Sequence, residues 1–126
     1  MQNPKQVIIL RKDLNMRKGK CVAQGAHASV TVALDMERKI MMCDTHPKEK
    51  AYREWSKDLQ TKICVSVSSE QELLDIYEKA KAAGIPCALI KDAGLTEFKE
   101  PTYTAVAIGP DYPVFIDPIT KHLPLL

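Results

Sequence analysis

Two short apolar runs, KICVSV (62–67) and CALIKD (87–92), flank the stretch SSEQELLDIYEKAKAAGIP (68–86). That stretch reads as one helix with both ends marked. Ser68 or Ser69 can cap its first turn, and Gln71 or Glu72 three residues on closes a capping box. Leu73, Leu74, Tyr77 and Ala80 supply a core face. Gly84 ends the helix and Pro86 blocks its continuation. A buried strand, a helix and a second buried strand in this order predict a right-handed parallel crossover. The chain is therefore expected to form an α/β layer fold.

The remaining segments fit around that unit. QVIILR (6–11) is another buried strand, and residues 12–18 form a loop. A helix then runs from about Gly19 to Lys39, with Val22, Ala23, Ala26, Val30, Ala33 and Leu34 on one apolar face at a period near 3.6. MMCDTHP (41–47) breaks the pattern. A more polar helix follows at about 48–60, with Tyr52, Trp55 and Leu59 at one face. TYTAVAIG (102–109) is a fourth strand, on which Thr104, Val106 and Ile108 should share one face. The connection before it is too short for another helical crossover, so this strand should run antiparallel and make the sheet mixed. PDYPVFIDPITKHLPLL (110–126) reads as turns and an apolar tail. The expected architecture is a single domain over 1–126, a three-layer α/β sandwich with a four-stranded mixed β-sheet flanked by helices. A chain of 126 residues suits one such core.

Composition excludes several classes. No apolar run approaches the ~20 residues needed to cross a membrane. The N-terminal MQNPKQVIILRKDL has a short apolar core without a small-residue cleavage pattern, and reads as a strand rather than a signal peptide. Cys21, Cys43, Cys64 and Cys87 form no CxxC pair, so a zinc ribbon or thioredoxin-type site is not expected. Cys64 and Cys87 look like small buried hydrophobes in a reduced, cytoplasmic protein. The net charge of +2 does not by itself announce nucleic-acid binding. The distribution is more telling. Lys5, Arg11, Lys12, Arg17, Lys18 and Lys20 face only Asp13 in the first twenty residues, which allows a phosphate-binding surface or a solvated basic loop.

Three constellations can carry chemistry. On the first helix Lys20, Gln24, His27 and Thr31 fall within about 60° of one another, a polar stripe beside the apolar face. A cation in the first helical turn is disfavoured by the helix dipole, and an anionic ligand would account for Lys20. The alternative is an exposed lysine, two surface side chains and a packed histidine. In KDAGLTE (91–97), Asp92 ends a strand, Ala93-Gly94 allows a tight turn, and Thr96 follows. Sites in open α/β sheets lie off such strand ends. Asp92 can orient a water or act as a base, or it can cap the turn. Arg11–Asp13 ends the first strand, and both loops can meet at one edge. Thr104 is either a site hydroxyl or a strand-forming threonine. Phosphate-loop, dinucleotide, zinc-protease and serine-hydrolase signatures are absent from the sequence, as is any acidic cluster for two metals. His46 and His122 read as surface residues.

In order along the chain, RKDLNMRKGKCVAQGAHAS (11–29), SSEQEL (68–73), IKDAGLTE (90–97), TAVAIGP (104–110) and ITKHLPLL (119–126) resemble the type II peptidyl-tRNA hydrolase family. The first block carries most of the specificity, matching D-L-x-M-x-x-G-K-x-x-A-Q-x-x-H-A at every fixed position. The resemblance implies a hydrolase that cleaves the ester between a peptide and the 3′ ribose of tRNA, freeing tRNA from peptides dropped by stalled ribosomes. It implies a mixed sheet flanked by helices, no metal or organic cofactor, and often a homodimer. Its motif residues carry over as Lys20, Gln24, His27, Asp92, Thr96 and Thr104. With no activated serine or cysteine, water is the expected nucleophile, oriented by Asp92 with help from Thr96. Lys20 is expected to meet the oxyanion or a terminal phosphate, and Gln24 and Thr104 to position the ester. His27 would orient a neighbour or support the helix. Arg11, Lys12, Arg17, Lys18 and Lys91 are the expected tRNA contacts. Three positions depart from the family pattern. Leu95 stands where a basic residue is common, Lys121 where a glycine is usual, and Pro124 where a lysine is usual, removing a charge and a backbone donor. A non-catalytic RNA- or protein-binding module on the same fold is the rival reading.

Overall fold

The computed structural model describes residues 3–94 and 98–126. Its strands are β1 (Lys5–Arg11), β2 (Lys62–Val67), β3 (Cys87–Asp92) and β4 (Thr102–Asp111), in sheet order β2-β1-β4-β3. β1 pairs with β2 in parallel, and β4 runs antiparallel to both β1 and β3. The sheet is therefore mixed, as the short connection before β4 requires. β1, β2 and β3 all point one way, so Arg11, Val67 and Asp92 end at one edge. The helices are α1 (Lys18–Met42), α2 (Glu49–Lys57), α3 (Glu70–Ala82) and α4 (Pro113–Thr120).

The pleat sorts the strands into two cores. Val7 and Ile9 of β1, Val65 and Val67 of β2, and Val106 and Ile108 of β4 pack against Leu73, Ile76 and Ala80 of α3 and Ile116 and Ile119 of α4. Leu10, Ala88, Ile90, Ala105 and Ala107 turn to the other face, against Ala28, Val32 and Met36 of α1 and Tyr52 and Trp55 of α2. This gives helix, sheet and helix layers. The capping box of α3 closes as expected: Ser69 Oγ accepts the Glu72 N–H at 3.1 Å, and Glu72 Oε1 accepts the Ser68 N–H at 2.7 Å.

Four local expectations need correction. The first concerns α1. The face turned to the sheet is Gln24, Gly25, Ala28, Ser29, Val32 and Met36, while Val22, Val30 and Leu34 are 71%, 53% and 65% exposed. Two properties of the buried face outweigh the apolar pattern. Gly25 lets the helix backbone close on β1, where an added Cβ would already stand 3.4 Å from Ile8 Cγ2. Ser29 and Gln24 also find buried partners there: Ser29 Oγ donates to Gln6 Oε1, and Gln6 Nε2 donates to the Gly109 carbonyl at 3.0 Å. Val22 and Val30 are left outside along a groove of about 550 Å³ between α1 and α2 that is floored by Ile8 and Cys64, and Leu34 lines a separate cleft beside Cys87 and Leu89.

Second, Leu59 lies beyond the end of α2 and is exposed, although Tyr52 and Trp55 are buried as expected. Third, Cys64 is exposed because β2 is an edge strand, while Cys87 is half-buried and its thiol is pushed up by that burial. Fourth, the segment after β4 is a helix, not a run of turns. Pro113 sits in the first turn of α4, where its missing N–H costs nothing, and Ile116 and Ile119 face the core. The tail beyond it lies along β2. Ser66 N–H donates to the Pro124 carbonyl at 2.9 Å and Leu126 N–H to the Cys64 carbonyl at 3.1 Å. Pro124 has no N–H to return, so the short ladder ends there.

Candidate active site

The edge where β1, β2 and β3 end carries the polar constellation. Asp92, the last residue of β3, shares the α1 face with Ala88 and Ile90, and is buried. Lys20 lies in the first turn of α1 and reaches over the strand end. Its Nζ stands 2.5 Å from Asp92 Oδ2, and the two side chains are 9% and 8% exposed. Asp92 Oδ1 accepts the Gly94 N–H at 2.8 Å, which closes the turn after the strand. The turn-capping reading of Asp92 is thus present on Oδ1, while Oδ2 meets Lys20. The exposed-lysine reading of Lys20 is excluded by its burial. A lysine at a helix N-terminus, against the dipole, is accounted for by this carboxylate.

Gln24, one helical turn on from Lys20, extends the same row. Its Oε1 accepts a hydrogen bond of 2.5 Å from Thr104 Oγ1, and both side chains are buried. This contact contradicts simple alternation along β4, which would set Thr104 beside Val106 on the opposite face. A β-bulge is the reason. Ile90 pairs with Ala105 but Lys91 pairs with Tyr103, so Thr104 has no opposite number on β3. The extra residue turns Thr104 to the α1 side and Tyr103 to the α3 side, where its ring packs on the apolar cluster. Nothing in TYTAV marks the bulge, because each of those residues is an ordinary strand former.

The four side chains Lys20, Asp92, Gln24 and Thr104 therefore come together between α1 and the β3–β4 ends. His27 does not join them: it is exposed on α1, and Thr31 Oγ1 is turned back to the His27 carbonyl at 2.8 Å. Thr96 and Leu95 lie outside the described residues. Phe98, which carried no weight in the sequence, stands with its ring centroid 5.6 Å from Lys20 Nζ. His46 accepts the Lys48 N–H on its Nδ1 at 3.1 Å, ahead of α2, and His122 is exposed.

The basic residues differ in exposure. Lys12, Arg17, Lys18 and Lys91 are exposed around the same edge, with Lys91 Nζ 5.0 Å from the Tyr103 ring centroid. Arg11 is engaged by the protein itself. Its Nη2 and Nε donate to Asp13 Oδ2 and Oδ1 at 2.7 and 3.2 Å, its Nη1 to the Tyr103 carbonyl at 3.1 Å, and its side chain is 10% exposed. It ties the loop before α1 to the bulged end of β4. Among the described residues no group of three His, Cys, Asp or Glu side chains is placed to hold a metal ion, and no helix is long and apolar enough to cross a membrane.

The sequence has clear relatives. A family model described as Peptidyl-tRNA hydrolase PTH2 matches residues 4–126. A peptidyl-tRNA hydrolase of Methanocaldococcus jannaschii is 48% identical over 122 residues, covering 97% of this chain and 99% of its own. Peptidyl-tRNA hydrolases of Staphylothermus marinus and Thermococcus onnurineus are 45% and 39% identical, each over 97% of this chain and over 94% and 97% of their own. A family match over nearly the whole length, with relatives 39–48% identical across it, assigns the chain to the peptidyl-tRNA hydrolase PTH2 family.

Proposed function

We propose that this chain hydrolyses the ester joining a peptide to the 3′ ribose of tRNA, releasing free tRNA in the cytoplasm. Family membership supports the reaction, and the buried Lys20–Asp92 pair at the strand ends is the observation that carries the assignment of residues. Water is the nucleophile. Asp92 Oδ2 meets Lys20 and Oδ1 accepts the Gly94 N–H, and this fixed carboxylate at the strand end is suited to orienting a water. An ordinary carboxylate is a weak base at neutral pH, so orientation counts for more than proton removal. Lys20 donates to the developing oxyanion. Thr104 fixes Gln24 through its Oε1, which turns the Nε2 N–H groups to the ester. Thr96 is assigned to the same water by its motif position, and His27 to support of the helix rim.

Release of free tRNA from purified N-acetyl-aminoacyl-tRNA, with and without the protein, tests the reaction. Binding without release would replace this reading with that of an RNA-binding module. Lys12, Arg17, Lys18 and Lys91 are proposed to meet tRNA phosphates. Four such contacts should lower affinity roughly 50-fold or more between 50 and 200 mM salt. Arg11→Ala should leave that salt slope unchanged, since its guanidinium is occupied by Asp13 and the Tyr103 carbonyl. A flat salt response removes the four residues as phosphate contacts.

The protein is further proposed to act as a homodimer. Support comes from α1, whose aliphatic side chains Val22, Val30, Leu34 and Met41 face solvent, the first two along the groove. Soluble monomers rarely leave so much apolar surface uncovered. Sedimentation should give a dimer for the wild type and a monomer for Val30→Glu with Leu34→Glu. A monomeric wild type at micromolar concentration ends the proposal.

A further inference from the structure

We infer that Phe98 is a positioning residue for Lys20, its ring and the Asp92 carboxylate holding the ammonium from two sides. The inference rests on the reading that Lys20 acts on the ester. Phe98 is partly buried, yet it belongs to neither apolar cluster of the sheet. Its ring centroid stands 5.6 Å from Lys20 Nζ, inside the range in which an aromatic face attracts a cation. Ring and carboxylate come from the same connection between β3 and β4. Gly94 lies close against Glu100: its φ is +83°, and a Cβ there would stand 2.8 Å from the Glu100 carbonyl carbon. The turn that presents Asp92 is thus held against the backbone that leads back from Phe98.

The chain repeats this arrangement once. It has two phenylalanines, and the second, Phe115, lies 3.9 Å from Lys48 Nζ, a lysine likewise paired with a buried aspartate, Asp111. The physical reason for a ring beside the ammonium concerns charge. A ring attracts the cation through its quadrupole and excludes water, but leaves the positive charge in place. With an N–H directed at Asp92 and one side closed by the ring, the ammonium is restrained in direction. A leucine of similar bulk would exclude water without the attraction.

The test measures kcat and KM with N-acetyl-aminoacyl-tRNA for wild type, Phe98→Leu, Phe98→Tyr, Lys20→Met and the Lys20→Met, Phe98→Leu double variant. Phe98→Leu should lower kcat roughly 3- to 30-fold with KM within about twofold. Phe98→Tyr, which keeps the ring, should stay within about twofold of wild type. On the Lys20→Met background Phe98→Leu should cause no further loss, the signature of action through Lys20. Phe115→Leu serves as the control for a ring on a structural lysine, with kcat unchanged. Wild-type kcat in Phe98→Leu, equal losses in the Leu and Tyr variants, or the same fold-loss on both backgrounds each overturns the inference. If Lys20→Met itself turns over at the wild-type rate, the catalytic reading falls and this inference falls with it. If Lys20→Met is impaired while Phe98→Leu is not, only the inference falls.

Discussion

Lys20→Met and Asp92→Asn, made singly, are each expected to lower turnover of peptidyl-tRNA by about 10²- to 10³-fold and to cost about 3–5 kcal/mol of stability. Made together, they are expected to recover most of the stability and none of the turnover. The first expectation follows from charge development: a donor aimed at an oxyanion in a water-poor site acts in the transition state and not before it. The second follows from burial. With the two side chains 9% and 8% exposed, removing one takes a close counter-charge from the other in a poor solvent. Replacing both removes that penalty, because two neutral groups of similar shape need no counter-charge. Asparagine is chosen over leucine since its Oδ1 still accepts the Gly94 N–H, so the turn after β3 survives. Urea unfolding at neutral pH and single-turnover hydrolysis measure the two quantities on the same samples. A double variant that regains turnover along with stability would show that the pair is structural alone.

The arrangement of this site was legible in the sequence to different depths. Layer order, the mixed sheet and the capped α3 follow from local signals, because each rests on neighbours within one or two turns of chain. The α1 row was also legible, since Lys20 and Gln24 share a helix face whatever the helix packs on. Which face of α1 is buried was not. Hydrophobic pattern reads how apolar a face is, while the sheet selected a face by fit, through Gly25 against Ile8 and through Ser29 and Gln24 against polar partners distant in sequence. The same limit hid the bulge. Alternation along TYTAVAIG is a statement about one strand, whereas the shift at Ile90 and Lys91 belongs to the pairing of two. Thr104 was therefore found by motif and placed on the wrong face by periodicity. α4 escaped because two prolines in eight residues read as turns, although one of them occupies the first turn that proline favours.

Lys48→Met is expected to lower the unfolding midpoint by roughly 10–20 °C, the equivalent of about 3–5 kcal/mol for a domain of this size, while kcat at 25 °C stays at the wild-type value. Asp111 ends β4 at the edge of the sheet opposite Asp92, since β4 runs against β3. It is fully buried. Its Oδ1 accepts the Tyr112 N–H at 2.8 Å, and its Oδ2 meets Lys48 Nζ at 2.8 Å. Lys48 precedes α2, again a cation at a helix N-terminus where the dipole opposes it. Both misplaced lysines thus have the same explanation, a buried aspartate at a strand end and a phenylalanine ring. Position alone separates their roles: Lys20 lies at the edge ringed by exposed cations, and Lys48 stitches α2 to the corner between β4 and α4. Asp111→Asn should cost less than Lys48→Met, because Lys48 is 16% exposed and can turn to water, whereas the carboxylate cannot. Pairing Lys48→Met with Asp111→Asn should restore most of the midpoint. A Lys48→Met midpoint within about 2 °C of wild type would mean that Asp111 tolerates burial without its partner, and the reading of the cation-aspartate pairs as compensated buried charges would fail at both ends of the sheet.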